Sequence, residues 1–246
     1  MACQYCGGHG KPIAIFNTDT IPAELAREHG QYPDMFIKSL SAVNPALSFA
    51  RFDVNRQQYP SSLNQYAGVL ITGSQSAAYD SDEWIEVLKQ RIKTMANDRV
   101  PLVGICFGHQ IIHQALGGSV VNAPGGWCVG VHRNQLTESA QMYGSPGDSF
   151  TLLSSHQDQV VAAAPGTKVL AATDYCPIAM TSIGQHILTL QGHPEFTRDY
   201  AKALMDKRRT AIGEPVYQRG VSSLAEPLDD VQALQWMLDM FSRACA

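Results

Sequence analysis

The stretch Val100-Pro101-Leu102-Val103-Gly104-Ile105-Cys106-Phe107-Gly108-His109-Gln110 constrains the fold more than any other part of the chain. It opens as an apolar run with the length and β-branched content of a buried parallel strand. It continues through Gly104 and Gly108 into Gln110-Ile111-Ile112-His113-Gln114-Ala115-Leu116, whose apolar residues share one face of a short helix. Gly117-Gly118 ends that helix as left-handed caps do. Cys106 therefore falls in a tight strand-to-helix turn with a glycine two residues away on either side. This is the pattern of a nucleophile elbow carrying cysteine in place of serine. Such a turn exposes the side chain and directs the first free N–H groups of the helix at whatever the sulfur attacks. The positive end of a helix also favours the thiolate form of a thiol placed there. The structural alternative is a buried, inert cysteine at the end of a core strand.

The rest of the chain predicts an α/β fold. Strands are expected at 12–17, 46–52 and 66–71, and helices at 33–43 and 84–95, with a loop or short helix over 18–31. Strand and helix in alternation predict a mostly parallel, doubly wound sheet with ligands gathered at the carboxyl ends of the strands. Thr72-Gly73-Ser74 directly follows one such strand, and a glycine at 73 lets the backbone approach a ligand and offer an N–H. After Gly118 the texture changes to short strands near 118–122, 127–136, 149–153, 168–173, 177–182 and 186–190, which read as a meandering antiparallel extension. Helices at 196–211 and 227–244 follow, broken by Gly213 and Pro215. The last is expected to bury Leu228, Val231, Leu234, Met237, Leu238 and Phe241 on one stripe. No repeat, low-complexity tract or linker interrupts the chain. The expected organisation is an N-terminal tail, residues 1–10, and a single domain over 11–246 that ends in a C-terminal helical extension.

A net charge of −4 points away from nucleic acid and acidic membrane surfaces as partners, and no apolar run is long enough to cross a bilayer. The first residues lack the basic and apolar regions of a signal peptide. Six scattered cysteines do not form a disulfide framework, so the expected compartment is the cytoplasm. Cys3 and Cys6 form a C-x-x-C with His9 close by, but no second C-x-x-C completes four zinc ligands. No metal or cofactor is expected.

The late strand ends in Gly192-His193-Pro194-Glu195-Phe196. Pro194 disfavours helix at His193, and in an extended segment residues two apart point the same way. His193 and Glu195 are therefore placed to face one site. Cys106, His193 and Glu195 supply a nucleophile, a base and a carboxylate that orients the base. Each alone has a structural explanation; all three at strand ends of one sheet point to chemistry.

At these residues the chain resembles the class I glutamine amidotransferases, the triad-type glutaminases. The resemblance rests on G-I-C-F-G-H-Q at 104–110, G-H-P-E-F at 192–196, Thr72-Gly73-Ser74 and Ser155-His156-Gln157-Asp158, in family order over about residues 12 to 210. In texture it is similar to stand-alone proteins like the glutaminase part of GMP synthase. The resemblance implies a flavodoxin-like class I glutaminase architecture. It implies that Cys106 forms a γ-glutamyl thioester and that backbone N–H groups of Gly73 and Phe107 hold the oxyanion. It implies further that His193, oriented by Glu195, transfers the protons and that Gln110, Ser155, His156 and Gln157 contact the substrate. Family glutaminases pass ammonia to a synthetase, yet the sequence holds no phosphate-cradling loop, so a separate synthetase subunit is the implied partner. The alternative is a stand-alone γ-glutamyl peptidase or hydrolase acting on glutathione-like γ-glutamyl compounds with the same three residues. A non-catalytic binding protein that retains the fold is the third reading.

Overall fold

In a computed structural model, which describes residues 10–243, a nine-stranded sheet runs through the molecule. The elements in chain order are β1 (Ile13–Asn17), α1 (Ala23–His29), α2 (Tyr32–Val43), β2 (Phe49–Asp53), β3 (Gly68–Ile71), α3 (Glu83–Asn97), β4 (Leu102–Ile105) and α4 (Phe107–Ala115). There follow β5 (Ser119–Asn122), β6 (Cys128–Leu136), β7 (Ser149–His156), β8 (Asp158–Ala162), β9 (Thr167–Ala172), β10 (Met180–Ile183) and β11 (Ile187–Leu190). Helices α5 (Arg198–Ile212), α6 (Glu214–Ser223) and α7 (Asp230–Arg243) complete the described chain. The strand order is β2-β1-β3-β4-β11-β10-β9-β6-β7, and β5 pairs with β8 in a separate ribbon.

The first five strands of that order are parallel, and the pairings from β11 onward to β10, β9, β6 and β7 are antiparallel. This is the expected mostly parallel, doubly wound sheet with an antiparallel extension. The alternation along β1 shows how both faces are covered. Ile13 and Ile15 join a core with Phe36 and Leu40 of α2 and Leu234, Met237 and Phe241 of α7. Ala14 and Phe16 point the other way, into a core with Ile85, Leu88 and Ile92 of α3 and Ile111 and Ile112 of α4. A period of two along the strand thus divides the helices between two layers.

Four expectations are corrected. The strand at 187–190 belongs to the parallel part of the sheet, beside β4, instead of to the meander. β7 does not stop near 153 but runs on to His156, and β8 follows it directly. Pro215 does not end helical structure: it sits in the first turn of α6, where its missing N–H is no loss. On α7, Leu234, Met237, Leu238 and Phe241 are buried, whereas Val231 is 63% exposed. Cys3, Cys6, His9 and most of the expected N-terminal tail lie outside the described residues. Among the described residues no helix is long and apolar enough to cross a membrane.

Candidate active site

Cys106 closes β4 and opens α4 with φ 54° and ψ −103°, a left-handed conformation that a side-chain-bearing residue adopts only under strain. Two glycines make the turn possible. A Cβ at Gly104 would lie 2.5 Å from the Gly108 carbonyl oxygen, and one at Gly108 would lie 2.3 Å from the Ile71 carbonyl oxygen. The helix is therefore seated directly on β4 and on the end of β3. Cys106 is held by its N–H, which donates to the Leu190 carbonyl at 2.9 Å. Its carbonyl accepts from Gln110 N–H at 3.0 Å, which closes the first turn of α4. The Phe107 N–H lies in that same turn, where a helix leaves backbone donors free.

β11 runs parallel to β4 with Leu190 beside Ile105. The chain beyond β11 therefore emerges next to Cys106, although His193 is remote from it in sequence. The His193 N–H donates to the Leu153 carbonyl of β7 at 2.8 Å, which pins this segment to the antiparallel half of the sheet. The ring of His193 stacks on Phe196 at 3.7 Å with an interplanar angle of 11°. Its Nδ1 lies 2.8 Å from Glu195 Oε1, and Cys106 is close enough to act on the charge of the ring. His193 is 3% exposed and Glu195 2%. Burial alone would drive the imidazole toward its neutral form. The opposing charges of Glu195 and Cys106 outweigh that and raise its pKa to about 10. The arrangement favours an imidazolium between a carboxylate and a sulfur.

Gly73 completes this group, since a Cβ there would come within 3.2 Å of His193 Cε1 and 3.7 Å of Cys106 Cβ. The structure thus brings Cys106, Phe107, Gly73, His193 and Glu195 to one place, at the carboxyl ends of β3, β4 and β11.

A cleft of about 260 Å³ opens beside Cys106, and Gln110, Ser155, His156 and Gln157 all line it. Gln110 Nε2 donates to the Asp158 carbonyl at 2.7 Å and to Gln191 Oε1 at 3.2 Å, so its amide is fixed before any ligand enters. His156 Nδ1 donates to the Asp158 carbonyl at 3.0 Å, and burial lowers its pKa to about 3. That leaves a neutral ring whose other nitrogen is an acceptor. Ser155 Oγ accepts from Arg208 at 3.1 Å.

Arg208 and Trp127 were not among the expected site residues, yet both line the cleft. The guanidinium of Arg208 lies 5.4 Å from the Trp127 ring centre and forms no ion pair among the described residues. Nothing in the local sequence of either residue marks it for a site. A larger hollow of about 450 Å³ lies beyond Glu195, between α2, α5 and α7, and Cys106 is not part of its wall.

A family model described as glutamine amidotransferase class-I matches residues 28–208. Gamma-glutamyl peptidase 3 of Arabidopsis thaliana is 27% identical over 205 residues, which cover 80% of this chain and 82% of the peptidase. The glutamine-hydrolysing GMP synthase of Aeropyrum pernix is 28% identical over 174 residues, 70% of this chain but 32% of the synthase. The expected likeness to GMP synthase is therefore partial. A glutamine amidotransferase crystal structure from Methylobacillus flagellatus superposes with a TM-score of 0.74, covering 96% of this chain and 94% of that one. At 18% identity this likeness speaks for the fold.

Proposed function

The chain belongs to the class I glutamine amidotransferase family, and on that premise we propose that it is a cysteine-dependent hydrolase of γ-glutamyl amide bonds, with γ-glutamyl peptides as substrates. The observation that carries this reading is the strained Cys106 turn facing the His193–Glu195 pair at the ends of adjacent parallel strands. Cys106 attacks the γ-carbonyl carbon as a thiolate. His193 protonates the departing amine, leaving a γ-glutamyl thioester, and then takes a proton from the water that hydrolyses it. Glu195 holds the imidazole through Nδ1 and offsets its positive charge. Gly73 and Phe107 offer N–H groups to the oxyanion.

One observation supports a peptide as the leaving group: the chain is similar to a γ-glutamyl peptidase over about four-fifths of both sequences. Arg208, which forms no ion pair among the described residues, offers the cleft a cation for a substrate carboxylate. The same chemistry on free glutamine releases ammonia for a synthetase on another chain. The family and the partial likeness to a GMP synthase support that second reading.

Turnover by the purified protein separates the two. Glutamine, γ-glutamyl dipeptides and glutathione conjugates are compared, with Cys106→Ala as control. Cys106-dependent cleavage of the peptides well above that of glutamine is the expected result. Selective glutaminase activity overturns the peptide assignment, and no Cys106-dependent turnover overturns the enzyme reading.

A further inference from the structure

The segment after β3 is tied down residue by residue. Thr72 N–H donates to the Phe16 carbonyl at 3.2 Å, and the Thr72 carbonyl accepts from Gly108 N–H at 3.1 Å. Ser74 Oγ donates to the Thr18 carbonyl at 3.1 Å, and Gln75 N–H donates to the Asp19 carboxylate at 2.9 Å. Thr18, just beyond β1 and 1% exposed, is the hub of these contacts. Its N–H donates to Thr72 Oγ1 at 3.1 Å. Its hydroxyl lies 2.9 Å from Thr72 Oγ1, 3.2 Å from the Thr72 carbonyl and 2.7 Å from the Gly73 carbonyl.

A hydroxyl has a single proton to give. The shortest contact receives it, so Thr18 Oγ1 donates to the Gly73 carbonyl. The Thr72 hydroxyl, already accepting from Thr18 N–H, then donates to Thr18 Oγ1. None of these bonds uses the Gly73 N–H. The C=O and N–H of a trans peptide point in opposite directions. Anchoring the Thr72 carbonyl against α4 therefore turns the Gly73 N–H away from α4, and anchoring the Gly73 carbonyl on Thr18 fixes the next peptide plane. Gly73 itself abuts His193 and Cys106.

We propose that Thr18 is a positioning residue for the oxyanion site, its buried hydroxyl holding the Gly73 backbone so that the N–H is aligned on the tetrahedral intermediate at Cys106. This rests on the Cys106 reading given above. When the sulfur–carbon bond forms, the carbonyl π pair moves onto oxygen, where the Gly73 and Phe107 N–H groups stabilise it. The pair returns as the carbon–nitrogen bond breaks and the amine takes its proton from His193. Charge on that oxygen is absent from the bound substrate, so Thr18 supports the transition state and leaves substrate binding alone.

The test compares wild type, Thr18→Val, Thr18→Ser and Cys106→Ala. The readouts are kcat and KM on a γ-glutamyl dipeptide, inhibition by the corresponding γ-glutamyl aldehyde, and thermal unfolding. Thr18→Val is expected to lower kcat about tenfold to a hundredfold, less than the 10²–10³ lost with a whole oxyanion donor. KM stays unchanged, aldehyde inhibition weakens by the same factor, and Thr18→Ser restores both. A valine variant with wild-type kcat, or one impaired through KM alone, overturns the proposal. Should the valine variant not fold, Thr18→Ala reads the same division between kcat and KM. Wild-type turnover no higher than that of Cys106→Ala overturns the Cys106 reading itself and this inference with it.

Discussion

Replacing Gly108 by alanine probes the contact that seats the cysteine turn. The new Cβ would lie 2.3 Å from the Ile71 carbonyl oxygen and 3.0 Å from its carbon. Both are backbone atoms at the end of β3, so no side chain can swing aside. Restoring an ordinary contact requires α4 and β3 to part by about 1 Å. Overpacking of this kind costs about 1–3 kcal/mol, and alanine recovers about 1 kcal/mol over glycine within a helix. The net loss is about 0–2 kcal/mol, which for a chain of this length lowers Tm by no more than about 8 °C. Turnover suffers more. The same displacement stretches the Gly108-to-Thr72 hydrogen bond and moves Cys106 and Phe107 relative to Gly73 and His193. A misplacement of about 1 Å costs a rate factor of about 10². kcat/KM on a γ-glutamyl dipeptide should therefore fall about a hundredfold in a protein that thermal unfolding shows to be folded. Gly125→Ala is the control, because nothing lies within 4 Å of a Cβ there. Wild-type kcat/KM in folded Gly108→Ala, or a loss matched by the unfolded fraction, would refute the reasoning.

Other expectations follow from the charges. Glu195→Gln removes the carboxylate that helps to keep the His193 pKa near 10, so the alkaline limb of kcat/KM should move to lower pH. A limb that stays in place would assign it to another group. Arg208→Met should raise KM for γ-glutamyl dipeptides about tenfold or more, the loss of one charge-assisted bond; an unchanged KM would remove Arg208 from substrate recognition. Burial lowers the pKa of His113 to about 4 and of His156 to about 3, both below the ordinary 6.5. The stability they contribute is intact above pH 6.5 and drains as pH falls toward those values. With both rings titrating, unfolding free energy should drop by about 2.7 kcal/mol per pH unit. Denaturant midpoints between pH 7 and 4 would measure it, and a flat profile would contradict the burial argument.

The cysteine turn was legible in sequence because an apolar run, two glycines and a helix stop each have a local cause. His193 and Glu195 were legible because Pro194 forces extended backbone. Other features depend on what packs where. Ser154, Ser155 and His156 looked like a strand end because they are polar, yet β7 continues through them and turns them toward buried surroundings and the cleft. Pro215 has the sequence character of a helix breaker, but the first helical turn tolerates it as well as a loop does. Val231 fits the helical period of its neighbours but faces the hollow beyond Glu195 instead of a packed surface. Arg208 and Trp127 meet only because α5 packs across the strands that follow the β5–β6 loop, and no short window of sequence holds that information.

The position of β11 between β4 and β10 has a consequence in time. Translation delivers β4 and the cysteine turn long before it delivers residues 187–190. Until then the edge of β4 that β11 covers has no partner strand, and an uncovered strand edge is a template for self-association. Docking of β11 beside β4 covers that edge and brings the segment bearing His193 to the end of β4 where Cys106 sits.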